Sequence, residues 1–172
     1  MSEERRTIGW REWVLLPGLG DGAEVKAKVD TGARTSSLHA YDLEETERDG
    51  SPWLRFCFHP IQRDEKAVIA AEAPLVDRRR VTASNGQSEL RYVVETDLQL
   101  DGQTFPIELT LTRRDAMGFR MLIGRRALRG RYLVDPRRSF RSEESKAHRK
   151  RIRRAERARA KKGRTRKEVT EA

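Results

Sequence analysis

The 172-residue chain has a single cysteine, Cys57, so no internal disulfide can staple it, and a reducing cytoplasm is the expected compartment. Aromatic residues amount to only 6%, and no uncharged run approaches the roughly 18 apolar residues of a membrane span, so no membrane partner is expected. Met1-Ser2-Glu3-Glu4-Arg5-Arg6 leads into no long apolar stretch of the kind a secretory leader carries. Hydrophobic residues, at 36%, are outnumbered by charged ones, at 37%, which is polar for a compact protein if the charge is evenly spread. It is not evenly spread. Arg137 to Ala172 holds 16 Lys/Arg against 5 Asp/Glu, a net of +11, while the rest of the chain carries −1. One folded domain over residues 1–140 is therefore expected, followed by a basic tail over 141–172.

The body reads as many short strands. Ile8 to Leu16 is rich in aromatic and β-branched residues and is read as one strand, stopped by Pro17 and the glycines of Gly18-Leu19-Gly20-Asp21-Gly22. Glu24 to Val29 alternates polar with small or apolar residues, the period of a half-buried strand, and Asp30-Thr31-Gly32 follows it with turn chemistry. Trp53 to Phe58 is a further strand. Val81 to Ser84 and Ser88 to Val94 flank Asn85-Gly86, a tight-hairpin signal, and a second hairpin turns on Asp101-Gly102, after which Phe105, Ile107, Leu109 and Leu111 share one face. Met121-Leu122-Ile123 ends at Gly124, Arg125 to Leu128 predicts one helical turn, and Tyr132-Leu133-Val134 resumes as strand. With almost no long amphipathic helix, the body is predicted to be an all-β barrel or sandwich. The tail offers Ile152 as its one large aliphatic residue before Val169, so it is expected to be disordered or a solvated helix, and its removal after Phe140 to leave the melting of the body unchanged.

Asp30-Thr31-Gly32-Ala33, a hairpin at Asn85-Gly86, and then Leu122-Ile123-Gly124-Arg125 follow one another in an order that resembles the retropepsins. Four runs sharpen the resemblance: Ile8 to Val14, Ala27 to Ala40, Met121 to Leu128 and Val134 to Phe140. Together they are similar to the bacterial family labelled ATP-dependent zinc proteases, retropepsin-like proteins linked with RimK-type glutamate ligases. The resemblance implies a small closed acid-protease barrel and an aspartic-type peptidase. Asp30, Thr31 and Gly32 would be catalytic, Asp30 activating a water and the Thr31 hydroxyl bracing the neighbouring loop. Ala33, Arg34, Asn85, Gly86 and Arg125 would meet the substrate. The chemistry requires two carboxylates sharing one proton, and a chain with one Asp-Thr-Gly can supply the second by forming a homodimer. Within the chain, Asp115 and Asp135 are the remaining candidates, although neither is followed by the needed residues.

The Arg34 guanidinium, four positions beyond Asp30, suits an acidic peptide or a glutamylated protein as substrate; a structural ion pair for Arg34 or Arg125 is the other reading. No cofactor and no metal site is expected despite the family label. The chain has no His-Glu-x-x-His, its His39, Cys57, His59 and His148 are scattered, and Gly18 to Gly22 lacks the Gly-Lys-Ser/Thr end of a phosphate loop. The alternative function is a non-catalytic nucleic-acid or ribosome-binding module delivered by the tail. Its cations would contact RNA phosphates, but without aromatic residues after Phe140 to stack on bases.

Overall fold

A computed structural model of the protein describes residues 4–82, 86–113 and 118–170. In chain order its elements are β1 (Arg6–Gly9), β2 (Arg11–Leu16), β3 (Ala23–Asp30), β4 (Ser36–His39), β5 (Tyr41–Arg48), β6 (Ser51–Phe58), β7 (Ile69–Thr82), β8 (Ser88–Leu100), β9 (Gln103–Thr112), β10 (Met121–Gly124), α1 (Arg125–Leu128), β11 (Tyr132–Asp135) and α2 (Glu143–Thr170). Six strands close into a barrel in the order β2-β3-β10-β4-β9-β8, and the pairing of Leu15 with Gln99 returns β8 to β2. The sheet also continues outward from β8 through β7, β6 and β5.

Alternation builds the barrel interior. Ala23, Val25, Ala27 and Val29 of β3 point inward and leave Asp30 half-buried at the strand end, while Phe105, Ile107, Leu109 and Leu111 of β9 are buried together. The run read as one strand from Ile8 to Leu16 is instead two, because the chain turns at Trp10: β1 leaves the barrel and pairs in parallel with β11. The β8–β9 hairpin turns where expected, with Asp101 at φ 51° and Gly102 at φ 74°, left-handed conformations that Asp and Gly tolerate.

The boundary expected at residue 140 is not where packing stops. Helix α2 starts on the body, with Ser142, Glu144 and Ser145 all buried. The contact is polar, so a search for an apolar face could not find it. The Glu12 carboxylate, fully buried, accepts hydrogen bonds from Gly9 N at 2.7 Å, Arg141 N at 2.8 Å, Ser142 N at 3.0 Å and Ser145 Oγ at 2.6 Å. Glu144 accepts from the hairpin-turn amides of Asp101 at 2.6 Å and Gly102 at 3.0 Å. One helical turn on, His148 stacks on Trp13 at 3.7 Å and, with Arg151, pairs with Glu24. From residue 149 to 163 every described side chain is exposed.

Tyr132 ties β11 to the same corner. It is buried, its hydroxyl donates to the Leu100 carbonyl, and burial pushes its phenol up to about 12. A raised folded-state value stabilises the fold fully below the ordinary phenol range. That contribution is lost as pH rises from the unfolded value of about 10 through the folded one, because the unfolded chain ionises first. Thermal melts between pH 9 and 12 should therefore show an alkaline decline that Tyr132→Phe makes shallower; equal slopes in the two proteins would remove Tyr132 as its cause.

Candidate active site

The site lies at the barrel end where β3 and β10 both finish. These strands run parallel, and their register places Gly124 beside Asp30. β10 is inserted between β3 and β4, so a single short strand aligns the Asp-Thr-Gly loop on one side with Ser36 on the other. Asp30 Oδ1 accepts from Gly32 N at 3.0 Å and Ala33 N at 3.2 Å. Two amides thus fix one carboxylate oxygen. Ala33 O accepts from Arg125 N at 2.8 Å, Arg34 O from Arg126 N at 3.1 Å, and Gly32 O from the Arg125 guanidinium at 2.9 Å. Arg125 therefore clamps the Asp-Thr-Gly loop by the loop's backbone carbonyls.

Gly124 has a steric reason to be glycine. A Cβ there would meet the Thr35 carbonyl carbon at 2.4 Å, and its amide donates to Ser36 Oγ at 3.1 Å. Any side chain would push apart the two segments that hold Asp30, at a cost of about 1–3 kcal/mol. Ser36 on β4 is a buried support of the site.

Other expected site residues divide. Thr31 is exposed, and its hydroxyl braces nothing within the chain among the described residues. Arg34 is exposed and forms no ion pair among the described residues. Asn85 lies outside the described residues, as does Asp115; Gly86 is exposed at φ 81° beside β8. Asp135 is engaged elsewhere, accepting from Arg137 N at 2.9 Å and facing the Arg137 and Arg138 guanidiniums.

Sequence reading missed one link. Glu108 on β9 faces Arg126 Nη1 at 3.3 Å and Arg79 Nη2 at 3.4 Å, joining α1 to the base of the β7–β8 hairpin. Arg79 also grips Asp77 at 2.7 Å, which holds the Asp77 carboxyl below the usual range. Nothing in the local sequence marks Glu108, because its partners lie 18 and 29 positions away.

The candidate soft ligands are engaged separately. His59 Nδ1 faces the Ala67 carbonyl and its ring stacks on Tyr41, His148 is bound to Glu24 and Trp13, and among the described residues no three His, Cys, Asp or Glu side chains converge. Among the same residues no helix is long and apolar enough to cross a membrane.

A closed six-strand barrel with Asp-Thr-Gly at the end of one strand, and an apolar-apolar-Gly strand inserted beside it, is a retropepsin-like fold. Residues 7–145 match the family described as RimB-like, retropepsin-like aspartic endopeptidase RimB, and the chain belongs to that family. The match reaches Ser145, taking in the start of α2. Proteins named probable alpha-L-glutamate ligase are similar to it: one from Shewanella pealeana is 49% identical over 140 residues, covering 81% of this chain and 30% of that protein. One from Parasynechococcus marenigrum is 51% identical over 129 residues, covering 75% and 28%. The chain thus spans about a third of the length of the curated relatives it matches. A crystal structure of a Legionella pneumophila protein of unknown function superposes with a TM-score of 0.65 at 28% identity, covering 80% of this chain and 98% of the other.

Proposed function

We propose that the chain is an aspartic-type peptidase that cuts acidic, glutamate-extended peptides, with one Asp30 supplied by each of two copies. The observation that carries the reading is the Asp30 carboxylate, half-buried at an open barrel end with one oxygen fixed by two amides and no second carboxylate of its own chain presented to it among the described residues. In a pair of chains the two carboxylates share one proton, since like charges that close cannot both ionise cheaply. One then takes a proton from water as the water attacks the peptide carbonyl. The other gives its proton to the carbonyl oxygen; in the next step the first carboxyl passes its proton to the leaving amine as the C–N bond breaks, and a hydroxyl of the diol returns its proton to the second carboxylate. Thr31, unpartnered among the described residues of the single chain, would be covered in such a pair.

Two features support an acidic substrate. Arg34 stands exposed next to the loop and is unpaired among the described residues, and the relatives carry a glutamate-ligase name, which suits a partner activity on glutamate-extended chains. Incubation with a glutamate-extended peptide, read by mass spectrometry, should yield shortened products. Arg34→Gln should raise KM for that peptide about tenfold with a smaller change in kcat, the pattern of a lost binding contact. An unchanged KM would remove Arg34 from substrate recognition. EDTA should leave cleavage intact; activity lost to EDTA and restored by zinc alone would overturn the aspartic mechanism.

A further inference from the structure

Helix α2 carries cations that the peptidase reading does not use. Lys146, Arg149, Lys150, Arg153, Arg154 and Arg157 recur at helical spacing, line one shallow concavity, and are all exposed. None of the six faces a carboxylate among the described residues; Arg149 reaches only the Phe140 carbonyl. The stripe covers about 16 Å of helix. Its base is fixed by the Glu12, Ser142, Ser145 and Glu144 contacts, so the cations are held on a rigid rod.

Direction separates this surface from the catalytic end. Ser145 touches Trp13, which pairs with Lys26, while His148 and Arg151 reach Glu24, six residues before Asp30 and about 20 Å back along β3. Successive turns of α2 thus contact positions farther from Asp30, and a peptide held at Asp30 is poorly placed to reach the stripe. The face turned toward the body bears His148 and Ile152, followed by Ala155, so among the described residues α2 presents no broad apolar face for a lipid surface. Four of the six cations are arginines, whose fork matches phosphate oxygens bidentately.

From this stripe we infer that α2 binds the sugar–phosphate backbone of a nucleic-acid duplex, without sequence readout, as a surface separate from the Asp30 site. Aromatic residues are absent after Phe140, so bases are not stacked and affinity rests on phosphate contacts.

The test is fluorescence anisotropy of the full chain with 20-base-pair RNA and DNA duplexes of scrambled sequence, with a poly-glutamate peptide, and with anionic phosphatidylserine vesicles. Binding to a duplex should be indifferent to sequence and should weaken about a thousandfold between 50 and 200 mM salt, as expected for six phosphate contacts. The triple variant Arg149→Glu, Arg153→Glu, Arg154→Glu should lose at least about a hundredfold in duplex affinity while keeping its circular dichroism and its peptide cleavage. RNA alone, DNA alone or both binding would each support the inference and identify the source. Wild type failing to bind either duplex at 50 mM salt would overturn it, as would a triple variant binding equally well. Binding to poly-glutamate or vesicles as tight as to the duplexes would overturn it too.

Discussion

Asp30→Asn is expected to abolish peptide cleavage, by at least about a thousandfold, with the melting temperature nearly unchanged. The asparagine keeps a carbonyl oxygen that can accept from Gly32 N and Ala33 N as Asp30 Oδ1 does, so the loop geometry survives. What disappears is the group that exchanges a proton with water. If the second carboxylate comes from another copy, equal amounts of mutant and wild-type chains should randomise into dimers of which about a quarter carry two aspartates. Activity per total protein should then fall to about a quarter of the all-wild-type value. Independent monomers would retain half, and the dimer assignment would fail. A variant that cleaves like wild type would remove Asp30 from the chemistry altogether.

The strands around this site were legible because each alternates strictly. Glu24 to Val29 and Phe105 to Leu111 carry apolar residues on one side that the barrel has to bury, and Asp101-Gly102 fixes the turn between their neighbours. Asp30 and Gly124 were legible as motifs, but their adjacency was not, since the parallel register of β3 with β10 joins segments more than ninety positions apart. β5 escaped for a different reason. Tyr41-Asp42-Leu43-Glu44-Glu45-Thr46-Glu47-Arg48 is nearly all polar and carries no clear strand signal, yet it forms an edge strand held by ion pairs to the neighbouring strands: Glu45 with Arg78, Glu44 with Arg55 and Arg48 with Glu72. Charge placed opposite charge stabilises a strand that hydrophobic periodicity cannot detect. Glu12 is the buried version of that lesson, occupying an inward position of β2 that alternation assigns to an apolar side chain.

Truncation after Phe140 is expected to lower the melting temperature by roughly 10 °C. It would strip the buried Glu12 carboxylate of three of its four donors, Arg141 N, Ser142 N and Ser145 Oγ, and leave only Gly9 N. It would also unpair the Asp101 and Gly102 amides from Glu144 and bare the Trp13 ring. An uncompensated buried charge costs about 3–5 kcal/mol, and in a protein of this size each kcal/mol shifts melting by about 2–4 °C. Truncation after Glu156 keeps every one of these contacts and, among the described side chains, removes only exposed ones, so its melting should stay within about 1 °C of the full chain. Glu12→Ala in the full chain should destabilise comparably to the shorter truncation. Combining Glu12→Ala with that truncation should cost much less than the sum, because once the donors are gone the carboxylate has only a penalty left to remove. Additive losses would mean that α2 and Glu12 stabilise the barrel independently. Equal melting of the two truncations would mean that the polar dock contributes nothing and that the domain does end at residue 140.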